Sequence, residues 1–152
     1  MSIRLVALWL HLLGAIVWIG GLVYQTHVLL PLARRGQAAA FAEAARRARP
    51  ATWTAIALVV LTGFYNVTQL GSFERALASG AAPLLVAKFA LVILAVALAG
   101  QRDFAQVPLL HAALAAGADA QEPLATIARL DRVVLVLAAI VVYLGLAAAR
   151  AV

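Results

Sequence analysis

The sequence predicts an all-α integral membrane protein, an up-and-down bundle of four transmembrane helices, and two observations carry that expectation. Hydrophobic residues make up 66% of the chain and charged residues only 12%, against roughly 45–50% and about 25% in soluble domains. The apolar residues are also gathered into runs, Leu5 to Leu32, Thr52 to Leu70, Pro83 to Gly100 and Val133 to Ala149, each near or above the ~17–20 residues that cross a bilayer. Helices are the expected spanning elements because backbone polar groups in hydrocarbon must be satisfied within the segment. The alternating short segments of a barrel are not visible. At 152 residues, one domain over 1–152 is the economical organisation.

The first run opens in "MSIRLVALWLHLLGAIVWIGG", which has the look of a secretion signal. Its apolar core continues well past about 15 residues with no A-x-A cleavage site, so it is read as a retained first helix. The run exceeds what a span needs, so the helix tilts or projects beyond the bilayer, and Pro31 with the Arg34-Arg35 pair marks its end. The Ala- and Arg-rich stretch 33–51, "ARRGQAAAFAEAARRARPA", reads as a helix along the membrane surface ending at Arg49-Pro50, since proline disfavours a helical residue before it. Between the second and third runs lies "GSFERALASGAA", punctuated by Gly71 and Gly80. The last connection, Gln101 to Arg132, is a long loop in which Arg102, Arg129 and Arg132 are balanced by Asp103, Asp119, Glu122 and Asp131, and its His111 reads as solvated.

Twelve Lys and Arg against six Asp and Glu give a net charge of +6. Eleven of the twelve lie outside the apolar runs, and Arg34, Arg35, Arg46, Arg47 and Arg49 share one connection. By the positive-inside rule that connection and the third are cytoplasmic, which puts both termini in the periplasm of a bacterial inner-membrane protein. No aromatic-interleaved basic face accompanies the charge, which argues against nucleic acid as a partner. There is no cysteine, and Met1 is the only methionine. Disulfides and thiolate metal sites are excluded, and soft ligands for Cu(I) are nearly absent. No phosphate-binding loop, nucleophile constellation or H-E-x-x-H spacing points to a hydrolase or a primary pump.

Ionisable groups inside spans are costly and mark functional sites by default. Three qualify: His11, His27 and Lys88. His11 is six residues into the first helix and Lys88 five into the third, counted from the same side, so both lie roughly 7–10 Å below that surface. The outer ends of the second and fourth helices bring Tyr65, Asn66, Thr68, Gln69 and Tyr143 to the same region. His11, Gly14, Trp18 and Gly21 recur at spacings of 3, 4 and 3 and form one stripe, whose glycines permit a close neighbour or a flat ligand beside the Trp18 ring. His27 lies ~24 Å further along the axis and about 160° around it, so it serves a separate, interfacial role.

The stretch His11-x6-Trp18-x-Gly20-Gly21, then "TGFYNV" at 62–67, then "PLLVAKFALVILAVALAGQRDFAQVPLL" at 83–110, resembles the CopD family of bacterial membrane proteins. In that family's helix motif Leu85, Lys88, Leu91, Val92 and Arg102 are the matching positions. A related pattern occurs in HemJ-type protoporphyrinogen oxidases, similar to Gly21-Leu22-Val23-Tyr24 here, with an Arg where this chain has His27. The CopD resemblance implies copper uptake or resistance at the inner membrane. The HemJ resemblance implies haem b, with His11 and Lys88 at the positions that group uses.

Three functions follow. A copper-handling protein has the resemblance behind it, with His11 as a metal ligand and further ligands from partner chains. A haem b redox protein or oxidoreductase suits the residues well: one neutral imidazole holds iron from one side, Lys88 pairs with a propionate or moves a proton, and Gly14, Trp18, Gly21, Tyr65, Asn66 and Tyr143 line the cofactor site. The third is a structural or assembly subunit, as a homo-oligomer or in a larger membrane complex.

Overall fold

The computed structural model describes residues 2–69 and 81–151. All described secondary structure is helical. Gly71, Gly80 and the connection around them lie outside the described residues, as does Leu70.

The first helix, α1 (Ile3–Tyr24), continues through a π-helical turn (Gln25–Leu29), α2 (Leu30–Leu32) and a second π-helical turn (Ala33–Gln37). Helical geometry fails at Arg35 and Gly36, where Gly36 takes φ 99°. That left-handed conformation favours glycine, because a Cβ would clash there. The chain reverses, and α3 (Ala38–Thr68) runs back along α1, with residue 14 opposite 55–59 and residue 11 opposite 59–63. The second arm comprises α4 (Ala81–Gln101), a π-helical turn (Arg102–Gln106) and α5 (Val107–Ala115), then α6 (Gln121–Ala151) packed antiparallel on α4, with Lys88 opposite Gly145. Three stretches are long and apolar enough to cross a membrane: Ile3–Thr68, interrupted at Arg35–Gly36, Ala82–Ala115 and Gln121–Ala148.

Several expectations are corrected. The helix of stretch 33–51 does not stop at Arg49-Pro50; α3 passes through Pro50 without a break. A proline in a helix interior costs about 3 kcal/mol through its missing N–H and the clash with the preceding turn. Packing on both sides offsets this: Ala38, Phe41, Ala42 and Ala45 are buried before it, and Ala55, Ile56 and Val59 after it. Likewise the stretch 101–132 is not a long loop. The helices of the apolar runs extend into it from both sides, leaving a short turn between Ala115 and Gln121 in which Gly117 takes φ 63°. His111 is therefore helical and half-buried, its Nε2 donating to the Ala42 carbonyl at 3.1 Å.

These extensions build a core of their own. Leu30, Phe41, Val107, Leu110, Leu124 and Ile127 are packed together at the arginine-rich end. A 31-residue helix such as α3 or α6 is ~46 Å long, some 16 Å more than the hydrocarbon layer of about 30 Å. At the arginine-rich end Arg46 and Arg47 pair with Glu43 on the exposed face at 2.8 and 2.5 Å. A second core, with Trp18, Leu22, Ile56, Ala95, Val134 and Leu137, joins the two arms at mid-height. Beyond it, toward the other end, the described buried residues include Ala7 and Gly14 on α1, Val59 on α3, Ala82 on α4 and Ala148 on α6. On the far side of this core stand a half-buried His11 in the first arm and a half-buried Lys88 in the second.

Candidate functional site

Gly14 sets the approach of α1 to α3. A Cβ built on it would stand 3.0 Å from the Ala55 carbonyl oxygen and 3.0 Å from Val59 Cγ2, so only the missing side chain allows this separation. Three residues earlier, on the same face, His11 reaches across to α3. Its Nδ1 lies 3.0 Å from the Val59 carbonyl oxygen and 3.1 Å from Thr62 Oγ1.

The protonation of this ring follows from its partners. The Val59 carbonyl only accepts, and the Thr62 hydroxyl already donates its own proton to the Leu58 carbonyl, so Nδ1 carries the proton and donates to both. In the neutral imidazole the lone pair is then on Nε2. Metal-binding histidines are held in this way, with the second ring nitrogen donating to a carbonyl or similar acceptor. Gly63 completes the seat: a Cβ there would stand 3.0 Å from His11 Cε1 and 3.4 Å from Nδ1. Thr62 and Gly63 thus fix the imidazole; in the sequence they show only as the Thr-Gly pair of "TGFYNV".

The other expected residues divide. Lys88, on α4, packs its Nζ over Gly145, 3.1 Å from where a Cβ would be. Tyr65 shares with Thr62 an apolar groove of about 260 Å³ between the ends of α1 and α3, and Asn66 is half-buried one residue on. Trp18 is buried, but at mid-height in the core that joins the arms. Gly21 does not continue the packed stripe: it is exposed, and a Cβ on it would meet nothing within 4 Å. Tyr143 faces away from the bundle at 70% exposure, because its turn of α6 presents the opposite face to α4. His27 is exposed and donates from Nδ1 to the Val23 carbonyl at 3.1 Å, within its own helix.

Among the described residues, no three His, Asp or Glu side chains come together as a metal-binding group. Among the described residues around His11, the nitrogen that the hydrogen bonds leave open to a ligand is its own Nε2.

A second polar centre was not anticipated. Arg102, Asp103 and Asp131, expected as mutually balancing charges of a loop, are buried between the two cores, at 5%, 2% and 1% exposure. Arg102 Nη1 pairs with Asp103 Oδ1 at 2.5 Å, its Nε lies 3.0 Å from Asp131 Oδ1, and its Nη2 donates to Gln25 Oε1. Trp53 Nε1 donates to Asp103 Oδ2 at 3.0 Å. Phe104, beside the cluster, packs its ring 5.1 Å from that of Trp53 and lies under the Arg49 guanidinium at 5.2 Å.

Residues 42–149 match the family described as CopD, Copper resistance protein D. The chain belongs to the CopD family. The matched segment covers α4 and most of α3 and α6, so Thr62, Gly63, Lys88, Arg102, Asp103 and Asp131 of this CopD chain lie inside it, and His11 lies before it. No curated protein and no solved structure matches the chain. Apolar helices and family together make it a multi-pass membrane protein related to copper resistance.

Proposed function

We propose that this CopD protein handles copper at the bacterial inner membrane, crossing the bilayer four times with both termini in the periplasm, and that its chemistry centres on His11. The observation that carries the reading is the bifurcated bond from His11 Nδ1 to Val59 and Thr62, which leaves Nε2 as a nitrogen ligand. The four crossings are α1 and α3, which the break at Arg35–Gly36 divides, and the two later helical stretches. The arginines near the breaks favour a cytoplasmic position for that end, and the single module over 1–152 includes the first helix.

Copper is the substrate in this reading. An imidazole nitrogen suits it, and one fixed histidine with oxygen donors such as Tyr65 or Asn66 nearby is a hand-over point rather than a storage site. Further ligands come from a partner chain, as a homo-oligomer or in a larger membrane complex.

A specific observation favours a second reading, haem b as a resident cofactor. A single neutral imidazole with a fixed tautomer meets the one-sided requirement of haem iron, whereas a closed copper site needs several donors. His11 would hold the iron and Lys88, in the opposite arm, would pair with a propionate. Haem would supply one-electron redox chemistry, making the protein a membrane oxidoreductase.

The test is the absorption spectrum and copper content of the purified protein and of His11→Ala. A colourless protein that takes up stoichiometric copper, lost in the variant, supports the first reading. A Soret band with reducible α and β bands, lost in the variant, supports the second. Neither copper nor haem, with His11→Ala indistinguishable from wild type, overturns both and leaves an assembly subunit.

A further inference from the structure

The buried cluster at Arg102 has a charge imbalance. One guanidinium faces two carboxylates, Asp103 and Asp131, and these are the charged groups lining a cavity of about 20 Å³, together with Gln25, Thr52 and Trp18. Asp103 is fully engaged, with Oδ1 on Arg102 and Oδ2 on Trp53. Asp131 is not: Oδ1 faces Arg102 Nε off the hydrogen-bond line, and Oδ2 has no donor. Thr26 Oγ1, also buried, lacks a partner as well.

The local backbone shows that this arrangement is built. Gln25 and Thr26 come from one π-helical turn, and Arg102 and Asp103 from another. Each turn is followed two residues on by a proline, Pro31 and Pro108, whose rings would press on the carbonyls of His27 and Phe104 in a regular helix. Widening the turn relieves that clash and re-aims the side chains inward, as π-bulges at functional sites do.

A surplus negative charge so deeply buried is costly, and a buried group neutralises rather than remain ionised and unpaired. A metal cation is a poor fit: hard cations take six or more oxygen ligands, and here a guanidinium already occupies the carboxylates. We propose that the Arg102–Asp103–Asp131 cluster binds one exchangeable proton, carried on Asp131 Oδ2, with one water molecule in the adjoining cavity. The proton comes from solvent water, forms an O–H bond on Oδ2, and leaves Arg102 and Asp103 as a neutral pair; no electron moves. A cavity of this size admits about one water. That water accepts from the new O–H, within reach of the Gln25 and Thr52 side chains that line the same cavity. Some 14 residues, or ~21 Å, separate Gln25 from His11 along the first helix, so the site stands independently of the metal reading.

Infrared difference spectroscopy of the full-length protein in lipid, titrated over the pH range in which it stays folded, tests this. The expected result is a carboxylic-acid C=O band, shifted in D2O, that disappears as pH rises. It is lost at every pH in Asp131→Asn. In Asp103→Asn, where Arg102 and Asp131 balance one to one, the band persists with its midpoint moved to lower pH. Sodium or copper salts at fixed pH leave it in place. The wild-type titration decides even if a variant fails to fold: absence of such a band overturns the proposal. So does its loss in Asp103→Asn with retention in Asp131→Asn, or its displacement by a cation.

Discussion

His11 and Thr62 are joined by a hydrogen bond of 3.1 Å in which the imidazole donates, because the Thr62 hydroxyl proton is already committed to the Leu58 carbonyl. The ring is thereby held with Nε2 as its unprotonated nitrogen. Thr62→Val keeps the shape and removes one acceptor. Since outer-sphere partners of metal-binding histidines typically contribute about 10–100-fold in affinity, this variant is expected to lower copper or haem retention toward that extent. Thr62→Ser, which keeps the hydroxyl, is expected to retain it. Competition titrations of the purified variants measure the difference.

Gly63 gives an independent handle on the same ring. The Cβ of Gly63→Ala would stand 3.0 Å from His11 Cε1, so the imidazole must move by a few tenths of an ångström. The expected outcome is a changed ligand spectrum with unchanged helix content by circular dichroism. Gly14→Ala meets backbone instead, the Ala55 carbonyl at 3.0 Å. Overpacking of that kind costs about 1–3 kcal/mol, read as a lower midpoint in detergent unfolding.

At the charged cluster, removing the cation is expected to be worse than removing a donor. Arg102→Gln leaves the Asp103 carboxylate buried without its counter-charge, a change of about 3–5 kcal/mol. Trp53→Phe keeps the ring against Phe104 but deprives Asp103 Oδ2 of its hydrogen bond, for about 1–3 kcal/mol. Unfolding of both variants in one detergent orders them.

For the topology, reporters fused after Arg35 and after Ala116 are expected to report the cytoplasm, and one fused after Gln69 the periplasm. The reverse pattern would place His11 and Lys88 on the cytoplasmic side.

The apolar runs were legible because hydrocarbon imposes length and composition on any span. Where the helices end was not. Phe41, Leu110 and Ile127 lie in stretches diluted by alanine and arginine, and only their meeting in one core shows that the helices continue. Pro50 signals a stop that packing on either side overrides. His11 stood out as a lone ionisable group in an apolar run, and its partner was half-visible in the Thr-Gly pair of "TGFYNV". Arg102, Asp103 and Asp131 were misread for a physical reason. Charges beside a membrane end are usually solvated, and what buries these comes from far along the chain, as Gln25 does across 77 positions. Tyr143 shows the opposite error: correct depth does not settle which way a residue faces.

The most direct test of the central claim compares His11→Ala with His27→Ala, both purified as folded protein, by bound copper and by haem absorption. The account predicts that the ligand signal is lost in His11→Ala and unchanged in His27→Ala, whose imidazole is exposed and bonded within its own helix. A signal that survives His11→Ala, or that His27→Ala abolishes, would contradict it.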